Sequence, residues 1–254
     1  SLVAESAAPA STFSASSEAF NSGAARSSNA ANWQRVKKSS TLAATACRVS
    51  YAAAVAAPRG CAALPAVSHS ASAFSAKRAC AALAAEFDVP LHTHLSETAS
   101  EVETMRNEQG MPVIPYVKKQ NLFDAKVLAA HCVHIDEGEM RTLKHAGAGV
   151  AHNPSSNLKL ASGVAPIRRM IDLGLNVGIG TDGPASNNDL DMFEEMRLAA
   201  FIAKGTSGDP TALPASTVLL MGTRLGAQAL HLGSLTGSLE PGKRADLILV
   251  DISP

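Results

Sequence analysis

Two histidines two residues apart, His92 and His94, sit in the short apolar run 89–95 and are followed by Glu97. On a strand, residues i and i+2 point the same way, so both imidazoles would face one side. His94, nearer the strand end, could then present a ring nitrogen to a metal. Glu97 would sit on the rim of the same mouth, and a carboxyl beside a metal-activated water is what general acid/base chemistry needs. The plainer alternative is a pair of hydrogen-bonded core histidines. His131 closes a second apolar run, 126–131, and Asp182 follows another in the sequence Gly180-Thr181-Asp182-Gly183. A carboxylate at that point could ligate zinc or take a proton from zinc-bound water; it could equally cap a helix or a turn. His152 precedes Asn153-Pro154 and reads either as a further strand-end group or as a turn cap. His134, His145 and His231 read as surface or packing residues.

The elements that must hold these groups follow a simple pattern. Short apolar segments at 89–95, 126–131, 148–152 and 176–180 alternate with helical ones. The helices are expected at 75–87, with Ser75 as N-cap, at 98–109, at 136–145, at 165–173 and at 190–204, with one or two more in 211–230. Strand and helix in alternation predict repeated βα units on a parallel sheet. His94, His131, His152 and Asp182 all fall at C-terminal strand ends. Both a (β/α)8 barrel and a doubly wound sheet place their sites there. If they share one metal and one water, the functional groups of His94, Glu97, His131 and Asp182 should lie within about 8 Å of one another. The tail 237–251 reads as a turn followed by a strand at 245–250, not a further βα unit.

Bulk properties narrow the class. The 254 residues suit one large domain, or one domain plus a small one. Lys+Arg and Asp+Glu both number 22, a balance that argues against a nucleic-acid or anionic-membrane surface and for a small-molecule ligand. No apolar run reaches the roughly 18 residues that span a bilayer. Cys47, Cys61, Cys80 and Cys132 are scattered and read as free thiols in a reducing, cytoplasmic compartment. Half of residues 1–60 are Ala or Ser. The stretch 1–62 therefore reads as low-complexity, poorly ordered or corrupted barrel sequence, ahead of an organelle transit peptide. Residues 63–235 form the ordered barrel segment and 236–254 a separate C-terminal β piece.

Five stretches in order, LHTHLSET (91–98), AHCVHID (130–136), VAHNPSSNLKLASGVAPI (150–167), GIGTDGPASNNDLDMFEEMRLAA (178–200) and GSLEPGKRADLILVD (237–251), resemble successive motifs of the amidohydrolase superfamily. Within it they are most similar to the 5-methylthioadenosine/S-adenosylhomocysteine deaminases. The resemblance implies a zinc-dependent (β/α)8-type barrel, present here in part, with a C-terminal strand of a small β-sandwich. Fe2+ or Mn2+ are the alternative metals. It implies hydrolytic deamination of S-adenosylhomocysteine, 5-methylthioadenosine or adenosine to the inosine-type product and ammonia. It gives His94 and Asp182 the metal, and Glu97 the proton shuttle to the purine ring nitrogen. His131 would position the attacking water, and Asp182 would also accept its proton. Glu97 and His131 would both contact substrate. His69 matches a substrate-contacting histidine only in part, because the proline and aromatic that usually follow it are missing.

The departures matter as much. The family's first strand carries an H-x-H pair that adds two metal ligands, and this sequence has no histidine before His69. Ser96-Glu97-Thr98 places His92-x-His94 at strand 5 and not at that first strand. Four strands are clear, with a fifth expected near 48–57. Three readings follow: a zinc nucleoside deaminase, as a monomer or a homo-oligomer; an inactive truncated fragment of one; or a guanine-deaminase-like or triazine-hydrolase-like enzyme. The H-x-E with P-C-x-x-C pattern of base-flipping deaminases is absent, which argues against nucleic-acid deamination.

Overall fold

The computed structural model describes residues 71–251. The low-complexity stretch 1–62, the fifth strand expected near 48–57 and His69 lie outside the described residues. Four strands appear in the described part: β1 (Leu91–Leu95), β2 (Val127–His131), β3 (Gly149–His152) and β4 (Asn176–Ile179). They form one sheet in the order β1-β2-β3-β4, and every neighbouring pair is parallel. Doubly wound sheets reverse their strand order at a switch point; a barrel wall does not. The sequential order here is that of a partial (β/α)8 barrel, as the alternation of strand and helix signals predicted.

The helices are α1 (Ala71–Glu86), α2 (Ala99–Gln109), α3 (Val113–Lys119), α4 (Glu137–His145), α5 (Pro154–Lys159), α6 (Ile167–Asp172), α7 (Pro184–Asn187), α8 (Met192–Ser207), α9 (Ala215–Met221) and α10 (Arg224–Ala229). One sheet face, bearing Leu95, Val127, Ala129, Val150 and Val177, joins Met105, Leu143, Met170 and Met221 in the main core. On the other face Leu128, Ala130 and Ala151 pack against Ala229 of α10. That contact requires glycine. A Cβ on Gly149 would lie 2.1 Å from the Ala229 carbonyl oxygen, and one on Gly178 would lie 2.8 Å from Gly226 Cα. His231, just beyond α10, donates from Nε2 to the Val127 carbonyl at 3.1 Å, which ties the helix to the start of β2.

Two expectations need correction. Ser75 is not an N-cap: α1 begins at Ala71, because the sequence between 71 and 75 contains neither glycine nor proline to stop the helix. β3 ends at His152, and Asn153-Pro154 leads straight into the next helix. Pro154 opens α5 at its first turn, where proline's missing N–H costs no hydrogen bond. Residues 245–250 are not a strand; they are irregular, with Leu249 97% exposed. An extended segment becomes a strand only when an edge accepts its hydrogen bonds, and among the described residues none does. Cys80 and Cys132 are free thiols. No helix among the described residues is long and apolar enough to cross a membrane.

Candidate metal centre

Each functional side chain arrives from the C-terminal end of a strand. His92 and His94 share the face of β1 opposite Leu95, and their rings stack with centroids 6.4 Å apart. The chain then turns through Ser96 at φ 53°. Thr98 caps α2 by accepting from the Glu101 N–H. Glu97 lies in that turn, its own N–H donating to Glu101 Oε2 at 2.8 Å. His131 ends β2 at the parity of Val127 and Ala129, which face the helix layer. Left-handed backbone at His131 (φ 70°) and Cys132 (φ 48°) breaks the alternation, and the ring reaches the mouth. Asp182, also left-handed at φ 60°, follows β4. Left-handed non-glycine residues are costly and collect where function demands a particular direction.

The result is one cluster. A ring nitrogen from His94, one from His131 and a carboxylate oxygen of Asp182 lie within 4.8 Å of one another. The His94 and His131 rings stack at 5.2 Å. Glu97 Oε2 is 3.9 Å from His131 Nε2, so the four groups expected to converge do so. His94 and Asp182 also line a cavity of about 440 Å3 with His92, Ala130 and Ala151.

Electrostatics favours neutral imidazoles around one carboxylate. Crowding by protein pushes the His94 pKa down even though the ring keeps solvent access; the neighbouring His131 adds to this, and Asp182 and Glu97 oppose it. His92 is lowered in the same way, first by burial and then by His94. Burial works to raise Asp182, but hydrogen bonds from Ser186 and Ser156 outweigh it, and the carboxyl sits below its ordinary value. Both hydroxyls donate to the same oxygen, Oδ2, at 2.7 Å. His131 is fully buried; its Nδ1 pairs with Asn157 Oδ1 at 2.8 Å, and its Nε2 has no hydrogen-bond partner among the described residues.

His152 does not join the cluster. It shares the parity of Val150, lies buried toward the helix layer, and lines a cavity of about 320 Å3 beside α6 and α8. Burial, with help from His131, lowers its pKa to about 3. His134, His145 and His231 bond to backbone carbonyls, as packing residues do. Ser156, Asn157, Ser162 and Ser186 were not singled out from sequence. Their signal was position: each lies within a quoted motif, no more than ten residues beyond a strand end.

A model of the amidohydrolase family matches residues 10–254. The chain belongs to the amidohydrolase family. This amidohydrolase is 56% identical over 164 residues to a 5-methylthioadenosine/S-adenosylhomocysteine deaminase of Desulforudis audaxviator, covering 65% of this chain and 38% of that relative. Among solved structures it is similar to a zinc-bound adenosine deaminase from Xanthomonas campestris, with TM-score 0.65 and 40% identity over 68% of this chain and 39% of that one. A guanine deaminase from C. acetobutylicum, holding guanine, matches at TM-score 0.60 and 26% identity, over 66% of this chain and 41% of that one. The chain thus spans about two-fifths of the length of the relatives it matches.

Proposed function

We propose that this amidohydrolase chain carries the proton-transfer half of a divalent-metal site for hydrolytic deamination of an adenosine-type nucleoside. The observation that carries the reading is the convergence of His94, His131 and Asp182 within 4.8 Å, with Glu97 beside them. The names of the relatives support the substrate class: 5-methylthioadenosine/S-adenosylhomocysteine deaminase at 56% identity, against 26% for the guanine deaminase.

The residues fit a zinc ion on their own chemistry. The imidazole of His94 and the carboxylate of Asp182 are zinc donors, and the buried Nε2 of His131 beside them has no hydrogen-bond partner among the described residues. His94 and Asp182 would hold the ion, which when bound supplies hydroxide near neutral pH. The remaining work falls to side chains. His131 Nε2 accepts a hydrogen bond from the attacking water and aims it at C6 of the adenine ring. Asp182, with Oδ2 already committed to two serines, takes the water's proton on its other oxygen. Glu97 delivers a proton to the adjacent ring nitrogen and regains one from the new C6 hydroxyl, while Asp182 passes the water's proton to the amino group, which leaves as ammonia as C6 becomes a carbonyl.

The test assays ammonia release from S-adenosylhomocysteine, 5-methylthioadenosine, adenosine and guanine, with zinc content measured alongside. Two forms are compared: the 254-residue chain and an extended form that carries an upstream H-x-H strand. We expect the 254-residue chain to hold zinc substoichiometrically with little activity, and the extended form to deaminate adenosine compounds. Tight stoichiometric zinc and full turnover in the 254-residue chain would refute the need for further ligands. An extended form that binds zinc but acts on guanine alone would refute the substrate class.

A further inference from the structure

The three strands that bring chemistry to the mouth share one neighbour. Ser156 Oγ donates to Asp182 Oδ2 at 2.7 Å. The next residue, Asn157, meets His131 Nδ1 through Oδ1 at 2.8 Å. Ser162 Oγ donates to Glu97 Oε1 at 3.2 Å. All three come from one segment, 153–162, which follows β3 and includes α5. They reach groups borne by β4, by β2 and by the turn after β1. All three are buried, at 0%, 1% and 5% exposure, a costly setting for polar side chains unless their bonds matter.

The segment is itself pinned at both ends. The Ser155 N–H donates to the buried carboxylate of Glu195 at 3.1 Å, and Lys159 Nζ reaches the Ala185 carbonyl and Asn188 Oδ1. Ser162 closes back by donating its N–H to the Asn157 carbonyl at 2.8 Å, while its own carbonyl accepts from His134 Nε2.

We infer that residues 153–162 act as one positioning element, in which Asn157 sets the ring tautomer of His131 while Ser156 and Ser162 orient Asp182 and Glu97. In this orientation the Asn157 carboxamide oxygen faces the ring and only accepts, which puts the proton of neutral His131 on Nδ1, while Asn157 Nδ2 has no partner among the described residues. Nε2 then keeps its lone pair and turns it toward His94, Asp182 and Glu97. With the tautomer reversed, an N–H would point into the place a cation needs. None of the three is a catalytic residue; each acts through another. The inference rests on the metal-site reading, but its test does not depend on turnover.

The experiment is 15N NMR of the histidine rings in the metal-free 254-residue chain, at a pH where the rings are neutral. Zinc affinity is measured in parallel with a chromophoric chelator. In the wild type His131 should be protonated at Nδ1. Asn157→Asp, which retains an acceptor, should keep that tautomer. Asn157→Leu, similar in size but with no acceptor, should shift the ring toward the Nε2-protonated form and, by aiming an N–H at the place a cation needs, weaken zinc binding about 10–100-fold, an effect of the size that losing an outer partner has. Ser156→Ala should weaken zinc without moving the His131 tautomer. An Nε2-protonated His131 in the wild type overturns the inference whatever the variants do. So does an unchanged tautomer in Asn157→Leu. If the tautomers behave as stated and the extended form still deaminates nothing, the positioning role stands and the functional reading falls.

Discussion

The ends of β2 and β3 hold the same residue type at the same parity, and the two histidines meet opposite fates. His131 and His152 both close strands whose alternation directs them into the helix layer, and both are buried. His131 leaves that layer because it and Cys132 adopt left-handed backbone. His152 passes into Asn153 at φ −120° and stays in the layer, with Nδ1 unpartnered among the described residues. The other two strand exits follow the β2 pattern. Ser96 after β1 and Asp182 after β4 are left-handed too, and each exit delivers a site residue. Strand β3 instead runs straight into α5 and supplies the segment that orients the others. Backbone strain is thus spent where a side chain must face the mouth, and regular geometry is kept where a scaffold must stay rigid.

The sharpest way to break this comparison is to remove one group from each side. Asp182→Asn should lower zinc affinity by more than about 100-fold, beyond what loss of an outer partner costs. His152→Met, in the helix layer, should change it by less than about threefold while the chain stays folded. Equal losses from the two variants would mean that His152 belongs to the site after all.

Acid offers a second test. The folded-state pKa of His152 is lowered to about 3, while an unfolded histidine titrates near 6.5. Below 6.5 the unfolded state therefore binds the extra proton first. Stability is full above that pH and is lost progressively as the pH falls toward 3. Urea unfolding should show about 2 kcal/mol less stability at pH 5 than at pH 7 from this ring alone. His152→Met should flatten the difference; an undiminished slope would assign the acid sensitivity elsewhere.

The smallest effect probes the strain directly. Ser96 combines φ 53° with a buried hydroxyl that has no partner among the described residues. Ser96→Gly should remove both penalties and raise stability by about 1 kcal/mol, read as a shift in the urea midpoint. A loss of stability would mean the left-handed turn is not strained.

Much of this was legible from sequence for identifiable reasons. The runs 89–95, 126–131, 148–152 and 176–180 are short, apolar and separated by helical patterns, and four parallel strands appear at those places. His94, Glu97, His131 and Asp182 stood out because ionisable groups just beyond apolar runs have few structural reasons to be there. Ser156, Asn157 and Ser162 were harder to see, because short polar residues after a strand look the same whether they make a turn or hold a carboxylate. The segment 245–250 misled for the opposite reason: its run of consecutive apolar residues, Leu247 to Val250, has strand propensity, and propensity cannot supply a pairing edge.

Local sequence thus determined which segments are strands and which are helices, and it put the reactive residue types at strand ends, because periodicity and capping act over a few residues. It did not determine which way each strand end turns. Parity alone would have sent His131 beside His152, and only long-range contacts can hold a left-handed histidine against its own preference. The 2.8 Å pairing of His131 with Asn157 and the Ser156 bond to Asp182 each join residues 26 positions apart through separate strands. Such bonds exist only after β2, β3 and β4 lie side by side, which is why tertiary structure, and not the chain's local chemistry, decided the geometry of the site.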